Sequence, residues 1–424
     1  MSVKSRNRAT LPGRMPILGS DWIVADHPGN IVDYDARRKQ ADEGLENLVW
    51  RMLAFNPDLE SGYEGREMRK TRWLMAVLAV LATVLTSCSR DNPRPKLVSD
   101  SDKILTVEVV SCRDSILNPR SAGCEDIKYG FEGGRVVKLG DTYHLITAEM
   151  AGEPFCVNMR IAHWQSLDGL TWNRVGTIRE SDGDFSGASQ YAAPWGPMVV
   201  FVAEDNRWHL VYCNYKSKPE WHNFDGVIQH AVSESQGPDG IGGPYKDTHE
   251  LLRYDVDPDP WEGLQGVDSF FPYKIGNTWY GFYGSATIER RKDCTWNIGL
   301  ARADKIEGPW KRMTEMNPVD STHFAENPIV SRLENGVYIA IVDGGPWVNK
   351  MGYLLSWDGV HWSSVRHIDL EPTVKRWWSW MRTPLSLIKE PDGTYTMFFT
   401  AWRGAPPSVF GMLSRLTLKL TFIR

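Results

Sequence analysis

The chain carries no Cys-x-x-Cys pair and no Cys/His group at zinc-ligand spacing, so no structural zinc is expected. It has no basic excess. Lys and Arg number 48 against 53 Asp and Glu, the net charge is -5 and the pI is about 6.1, which argues against a nucleic-acid partner. Between Lys103 and the C-terminus no segment of useful length shows a helical period, which leaves strands. The apolar run Leu74–Thr86 is too short to span a bilayer comfortably. Cysteine is sparse, at six in 424 residues, whereas Trp is plentiful at nineteen. Trp is large and amphipathic, so most of these suit sheet cores and the remainder suit sugar-binding clefts.

The first 67 residues mix charge and turn formers, with one short helix expected over residues 41–55. Arg69, Lys70 and Arg72 then form a basic head before the Leu74–Thr86 run, which has the length of a signal-peptide core. The run ends in Leu85-Thr86-Ser87-Cys88, which resembles a bacterial lipobox. That resemblance implies cleavage before Cys88 and lipidation of its thiol. A signal peptide acts from the N-terminus, so Met68 is the expected start. Residues 1–67 then form an upstream extension outside the mature protein, 68–87 the signal peptide, 88–102 a polar tether and 103–424 the folded domain. The implied location is the outer membrane of a Gram-negative bacterium, facing periplasm or cell surface. Among the other cysteines, Cys112 and Cys124 are candidates to pair across a short loop in an oxidising compartment. Cys156, Cys213 and Cys294 lie in or near strand-like runs and read as buried thiols.

Five stretches share one pattern, beginning at Phe131, Ala193, Gly266, Phe324 and Arg382. Each has an apolar strand, a polar turn with Gly, Asn or Asp, and a second strand rich in aromatics, as hairpins do. The first four continue into a third strand, a Gly-containing turn and an aromatic. The fifth ends in "FGMLSRLTLKL" without the Trp turn, and "KILTVEVV" from Lys103 is available as a closing strand or a cover for the base. Five units of four short antiparallel strands predict an all-β, five-bladed β-propeller of four-stranded antiparallel blades. In such a fold the first strand of each unit lines the central channel. The starts of those strands hold Glu132, Trp195, Asp268, Glu326 and Arg382. Acids for chemistry, a guanidinium and an indole face are the components of a sugar pocket.

These features resemble the five-bladed propeller glycoside hydrolases, family 43 and its relatives above all. The residues that carry the resemblance are Ser-x-Asp-Gly-x-x-Trp at Ser166–Trp172 and Ser356–Trp362, Gly308-Pro309-Trp310, the Asp268 strand and Ala325-Glu326-Asn327-Pro328, and it covers Tyr129 to Leu420. It implies three catalytic acids: Glu132 as base, Asp268 as the acid that orients and tunes its partner, and Glu326 as general acid. The family's first acid is usually Asp, often followed by Pro. Here Glu132 precedes two glycines, and Asp126 and Glu149 compete for the role. Arg382 is placed to bond a sugar hydroxyl or to pair with an acid, and Trp195 and Trp380 to bind substrate.

No cofactor is required on this reading. The resemblance implies a possible structural calcium on the propeller axis, with His163 or His230 either near it or satisfied within the core. The implied activity is inverting, exo-acting hydrolysis of side chains of plant or algal polysaccharides by a monomer held to the membrane at Cys88, with arabinofuranose, xylose and galactose undistinguished. Substrate choice would fall to the loops Lys216–Gly226 and Tyr254–Leu264. The alternatives are a propeller phosphorylase, which needs a basic phosphate site from Arg382 and Arg135, and a non-catalytic glycan-binding propeller lipoprotein, which the Glu132-Gly-Gly departure keeps open. The Ser-x-Asp-Gly-x-x-Trp turns also resemble sialidase Asp boxes, but no arginine triad can be assembled.

Overall fold

The structure, a computed structural model, describes residue 98 and residues 104–345, 348–370, 377–404 and 410–423. The upstream extension, the signal peptide, Cys88 and all of the tether except Val98 lie outside these residues.

Twenty strands account for nearly all regular structure among the described residues, with three short 3-10 turns. β1 (Leu105–Leu117) stands first. Four antiparallel sets of four follow: β2 (Gly130–Leu139), β3 (Thr142–Met150), β4 (Met159–Ser166) and β5 (Asn173–Glu180); β6 (Ala193–Val202), β7 (Arg207–Lys218), β8 (Trp221–Gln236) and β9 (Tyr245–Arg253); β10 (Asp268–Ile275), β11 (Thr278–Ala286), β12 (Trp296–Ala303) and β13 (Lys311–Arg312); β14 (Glu326–Arg332), β15 (Tyr338–Asp343), β16 (Met351–Ser356) and β17 (Arg366–His367). β18 (Trp380–Lys389), β19 (Tyr395–Arg403) and β20 (Phe410–Phe422) complete the order, and β1 pairs antiparallel with β20 as their fourth strand. Of the two roles expected for "KILTVEVV", the part from Leu105 takes that of a closing strand.

Three of these sets are separate four-stranded sheets. The β18–β19–β20–β1 set and the β2–β5 set are joined into one eight-stranded sheet, mixed because a single parallel pair, Gly130 with Gly411, links them. A Cβ on Gly130 would meet the Gly411 carbonyl oxygen at 2.0 Å, so this backbone contact requires glycine. The first strands pack side by side in a closed ring: β2 against β6 and β18, β10 against β6 and β14, and β14 against β18. The five repeat starts read from the sequence fall within two residues of these strands' first residues.

The aromatics lock neighbouring sets together. Trp172 meets Phe398 of β19 edge-on at 5.7 Å, and Trp362 lies 5.2 Å from Phe282 of β11. Contacts of this kind contribute about 0.5–1.5 kcal/mol each beyond buried area. Both Trp residues are delivered by the Ser-x-Asp-Gly-x-x-Trp turns, which are built bond for bond alike. Asp168 Oδ1 accepts from the Leu170 and Thr171 amides, both at 2.7 Å, and Asp358 Oδ1 accepts from Val360 and His361 at 2.9 and 2.8 Å. The amides of Thr171 and Leu170 hold the Asp168 carboxyl down at about 2. These aspartates are architectural.

The cysteine pairing is not formed. Cys112 and Cys124 are both free thiols. Cys112 is fixed opposite Leu416 in the β1–β20 ladder, while Cys124 packs into a different core cluster with Phe131 and Trp164. Cys156 and Cys213 are buried as expected, but Cys294 is only half-buried. The segment Lys216–Gly226 is a hairpin arm rather than a loop, because β7 and β8 continue pairing out to Lys218 and Trp221. In Tyr254–Leu264, Asp259 and Glu262 are buried and hold Tyr283, Arg312 and Asn317, so this segment braces its sheet.

Candidate active site

The five first strands begin with the same local distortion. Each shows a register irregularity against its partner close to its start: Glu132/Gly134, Trp195/Met198, Asp268/Phe271, Glu326/Ile329 and Met381/Pro384. A bulge bends the strand and re-aims the side chain beside it. In four of the five the next residue is left-handed: Gly133 (φ 65°), Gly196 (φ 53°), Ser269 (φ 52°) and Asn327 (φ 53°). The glycine after Glu132 thus occupies the conformation that Ser269 and Asn327 take after Asp268 and Glu326. The Glu-Gly-Gly sequence keeps the bulge geometry of the other acid positions.

Arg382 gathers the acids. Its Nε donates to Glu132 Oε1 at 3.2 Å, its Nη1 to Glu326 Oε2 at 3.4 Å, and the same Nη1 lies 3.6 Å from Asp343 Oδ2. The guanidinium rests over the Trp402 ring at 5.1 Å, and Trp402 stacks on Trp380 at 6.2 Å. Thr383 Oγ1 donates to Glu132 Oε1 at 2.7 Å, and the second carboxylate oxygen of Glu132 is buried without a partner. Asp268 Oδ2 accepts from the Tyr215 hydroxyl at 2.6 Å, whose oxygen in turn accepts from Gln265 at 2.8 Å, while Asp268 Oδ1 is buried and unpartnered.

Among the described residues the acids outnumber the one cation that faces them, Arg382, and all of these acids are withdrawn from water. Burial above all, with the charges of Asp268, Asp343 and Glu132 added, pushes Glu326 up to about 8 against the opposing pull of Arg382. Burial likewise raises Asp343 to about 7 and raises Asp268. For Arg382, burial lowers the pKa, and the facing Glu326, Glu132 and Asp343 outweigh it, so the guanidinium is held charged. The arrangement can keep one carboxyl protonated beside others that are ionised.

Glu132, Asp268, Glu326 and Arg382 are therefore brought to one end of the ring. The competing acids are elsewhere: Glu149 is bound by Arg160, Arg174 and Trp164, and Asp126 by Arg160. Trp195 is half-buried at the start of β6, and Trp380 begins β18. Asp343 was not anticipated. It ends β15 directly opposite Glu326, so register within the Glu326 hairpin is the signal that finds it.

Both His163 and His230 bond within their own sheets, although the Nδ1 of His163 is buried without a partner. His163 Nε2 lies 3.0 Å from His144 Nδ1, and His230 lies 2.9 Å from His209 and 2.6 Å from Thr248 Oγ1. Among the described residues, the group with metal-ligand geometry is Asp205, just past β6, His209, near the start of β7, and Glu307, past β12.

No family model and no curated protein matches the chain. Several solved structures do. A family 117 glycoside hydrolase of the marine bacterium Zobellia galactanivorans superposes with a TM-score of 0.52 at 13% identity, over 75% of this chain and 90% of that one. BT0996, solved as an RGII complex, gives 0.56 at 15% identity over 73% and 92%. A third structure, described as a glycoside hydrolase, gives 0.53 at 16% identity over 69% and 88%. The likeness is one of fold, and at that level the resemblance read from the sequence holds.

Proposed function

We propose that the chain is an exo-acting, inverting glycoside hydrolase on a five-bladed propeller, removing sugars from side chains of plant or algal polysaccharides. Counted as antiparallel sets, the sheets make five blades, with β1 completing the last. The observation that carries the reading is the group of buried carboxyls that share one guanidinium at the ring's end. Among the described residues the acids there exceed the cations, and groups with pKa values shifted by burial and like charge gather at functional sites. Here the excess acid is held ready to exchange protons.

In this reading Glu326, protonated at neutral pH, donates its proton to the leaving glycosidic oxygen. Glu132 takes a proton from the attacking water, with Thr383 and Arg382 fixing one carboxylate oxygen and leaving the other for the water. Asp268, oriented by Tyr215, tunes Glu326 through its charge. Two contacts to one guanidinium keep the Glu132 and Glu326 oxygens within ~9 Å of each other, a bound that suits a carboxyl pair of either the inverting (roughly 6.5–9.5 Å) or the retaining (roughly 5–5.5 Å) kind, so the inverting assignment rests on the family resemblance. Trp195 and Trp380 supply stacking faces.

Arg382 is committed to the acids and Arg135 lies further along β2, which favours hydrolysis over phosphorolysis. The glycine-supported bulge at Glu132 favours catalysis over mere binding. The glycoside hydrolase neighbours support the same class, and Cys88 is the proposed lipid attachment point. The test is a screen of aryl-glycosides with proton NMR of the first product. Release of the inverted anomer is expected, and release of the retained anomer would overturn the inverting assignment. Retention on immobilised glycan without product from any donor would overturn the enzymatic one.

A further inference from the structure

The other end of the axis has the opposite chemistry. Beyond the bulges, four of the five first strands line a cavity of about 240 Å³, with Arg135 of β2, Phe271 of β10, Ile329 and Ser331 of β14, and Leu385 and Ser386 of β18 among its walls. Arg135 also reaches the fifth strand: its Nη1 donates to the Val199 carbonyl of β6 at 2.8 Å. Its guanidinium lies over the Phe271 ring at 4.9 Å. Among the described residues no carboxylate pairs with it. Lys138, at the edge of the same cavity, is paired with Glu390 at 3.0 Å. The Ser386 hydroxyl, on a residue 7% exposed, is buried with no hydrogen-bond partner.

A guanidinium cannot discard its proton in response to burial. Withdrawal from water pulls Arg135 down to about 10, which still leaves it charged at neutral pH. A half-buried cation that no carboxylate among the described residues pairs, beside an orphaned buried hydroxyl and a cavity, is a costly arrangement when empty. We infer that this axial cavity binds a small monovalent anion of halide type between the Arg135 guanidinium and the Ser386 hydroxyl. A single positive charge sets the valence. The other lining side chains are Val, Ile, Leu and Phe together with Ser331 and Lys138, whose charge Glu390 already takes up, so a dianion would find its second charge uncompensated. Among the described residues no carboxylate lines the cavity, so it does not suit the calcium that the family resemblance implies on the axis.

The inference is independent of any glycosidase activity and is tested without it. In the full chain, the 35Cl NMR line of dilute chloride is expected to broaden with added protein and to sharpen again as bromide is titrated in. The melting temperature is expected to rise as chloride replaces gluconate at constant ionic strength, and to stop responding in Arg135→Met. Ser386→Ala is expected to keep the response and shift its midpoint to higher chloride, which covers the case in which Arg135→Met does not fold. Broadening that bromide does not reverse, a melting temperature indifferent to chloride, or an unchanged response in Arg135→Met would each overturn the proposal.

Discussion

Glu149 and Glu326 are both glutamates on strands and both are withdrawn from water, yet their surroundings differ. Glu149 accepts hydrogen bonds from Trp164, Arg160 and Arg174 at 2.9–3.0 Å, and with Asp126 nearby the group contains two acids and two arginines. Glu326 has one contact of 3.4 Å with a guanidinium that Glu132 and Asp343 also use. The difference teaches that burial alone does not mark a reactive carboxyl. Glu149 is saturated and neutralised, and is a fastener. Glu326 is under-supplied, and so its proton stays near the balance point.

Substitutions can break this contrast in either direction. The largest effect is expected for Glu326→Gln: turnover of an identified aryl-glycoside should fall by about 10²–10⁴-fold, the worth of a positioned general acid, with the circular dichroism spectrum unchanged. The sign of the accompanying pH effect follows from the raised carboxyl. The native state favours its protonated form, so this group's contribution to stability is complete below about 4.5 and fades as pH rises through about 8. The melting temperature of Glu326→Gln relative to the parent should therefore increase from pH 5 to pH 8.5 in a thermal-shift series, and parental turnover should decline over the upper part of that range. A melting temperature of Glu326→Gln that falls relative to the parent as pH rises would count against a protonated Glu326.

Glu149→Gln should do the reverse. Leaving two arginines short of their partner should cost about 3–5 kcal/mol in denaturant unfolding, while turnover by the folded enzyme stays near parental. A large loss of turnover with stability intact would move Glu149 back into contention as the base. The smallest effect concerns the bulge. Gly133→Ala places a Cβ at φ 65° and should cost about 1–2 kcal/mol, whereas Gly133→Asn should cost less, because Asn327 already adopts that conformation at the matching place. Equal losses for Ala and Asn would indicate crowding by Thr383 and Gly196 rather than backbone strain.

Much of the fold was legible because the hairpin pattern repeats, and repetition converts five weak signals into one strong one. The ring of strand-start residues followed from that count, so Glu132, Asp268, Glu326 and Arg382 could be grouped before any coordinates. Asp343 was not grouped with them because it enters from the second strand of its hairpin, and cross-strand partners depend on a register that a bulge shifts. Arg382 was left between sugar and acid, since its choice depends on how many carboxyls converge, a property of three dimensions. The Cys112–Cys124 expectation failed because closeness in sequence says little once one residue is captured by a strand from the far end of the chain. Arg135 was weighed only as a phosphate ligand, since nothing local reveals that its guanidinium lacks a carboxylate.

The pairing of β1 with β20 has a consequence for synthesis. The earliest of the described strands to leave the ribosome must wait for the latest before it finds its neighbour, so the annulus stays unsealed while almost all of the polypeptide is being made. During that interval β1 offers an unpaired edge, the kind of surface that recruits other nascent chains. A message truncated ahead of Phe410 would make that exposure permanent, and its product should be a target for chaperones and proteases even though every acid of the cluster had already been translated.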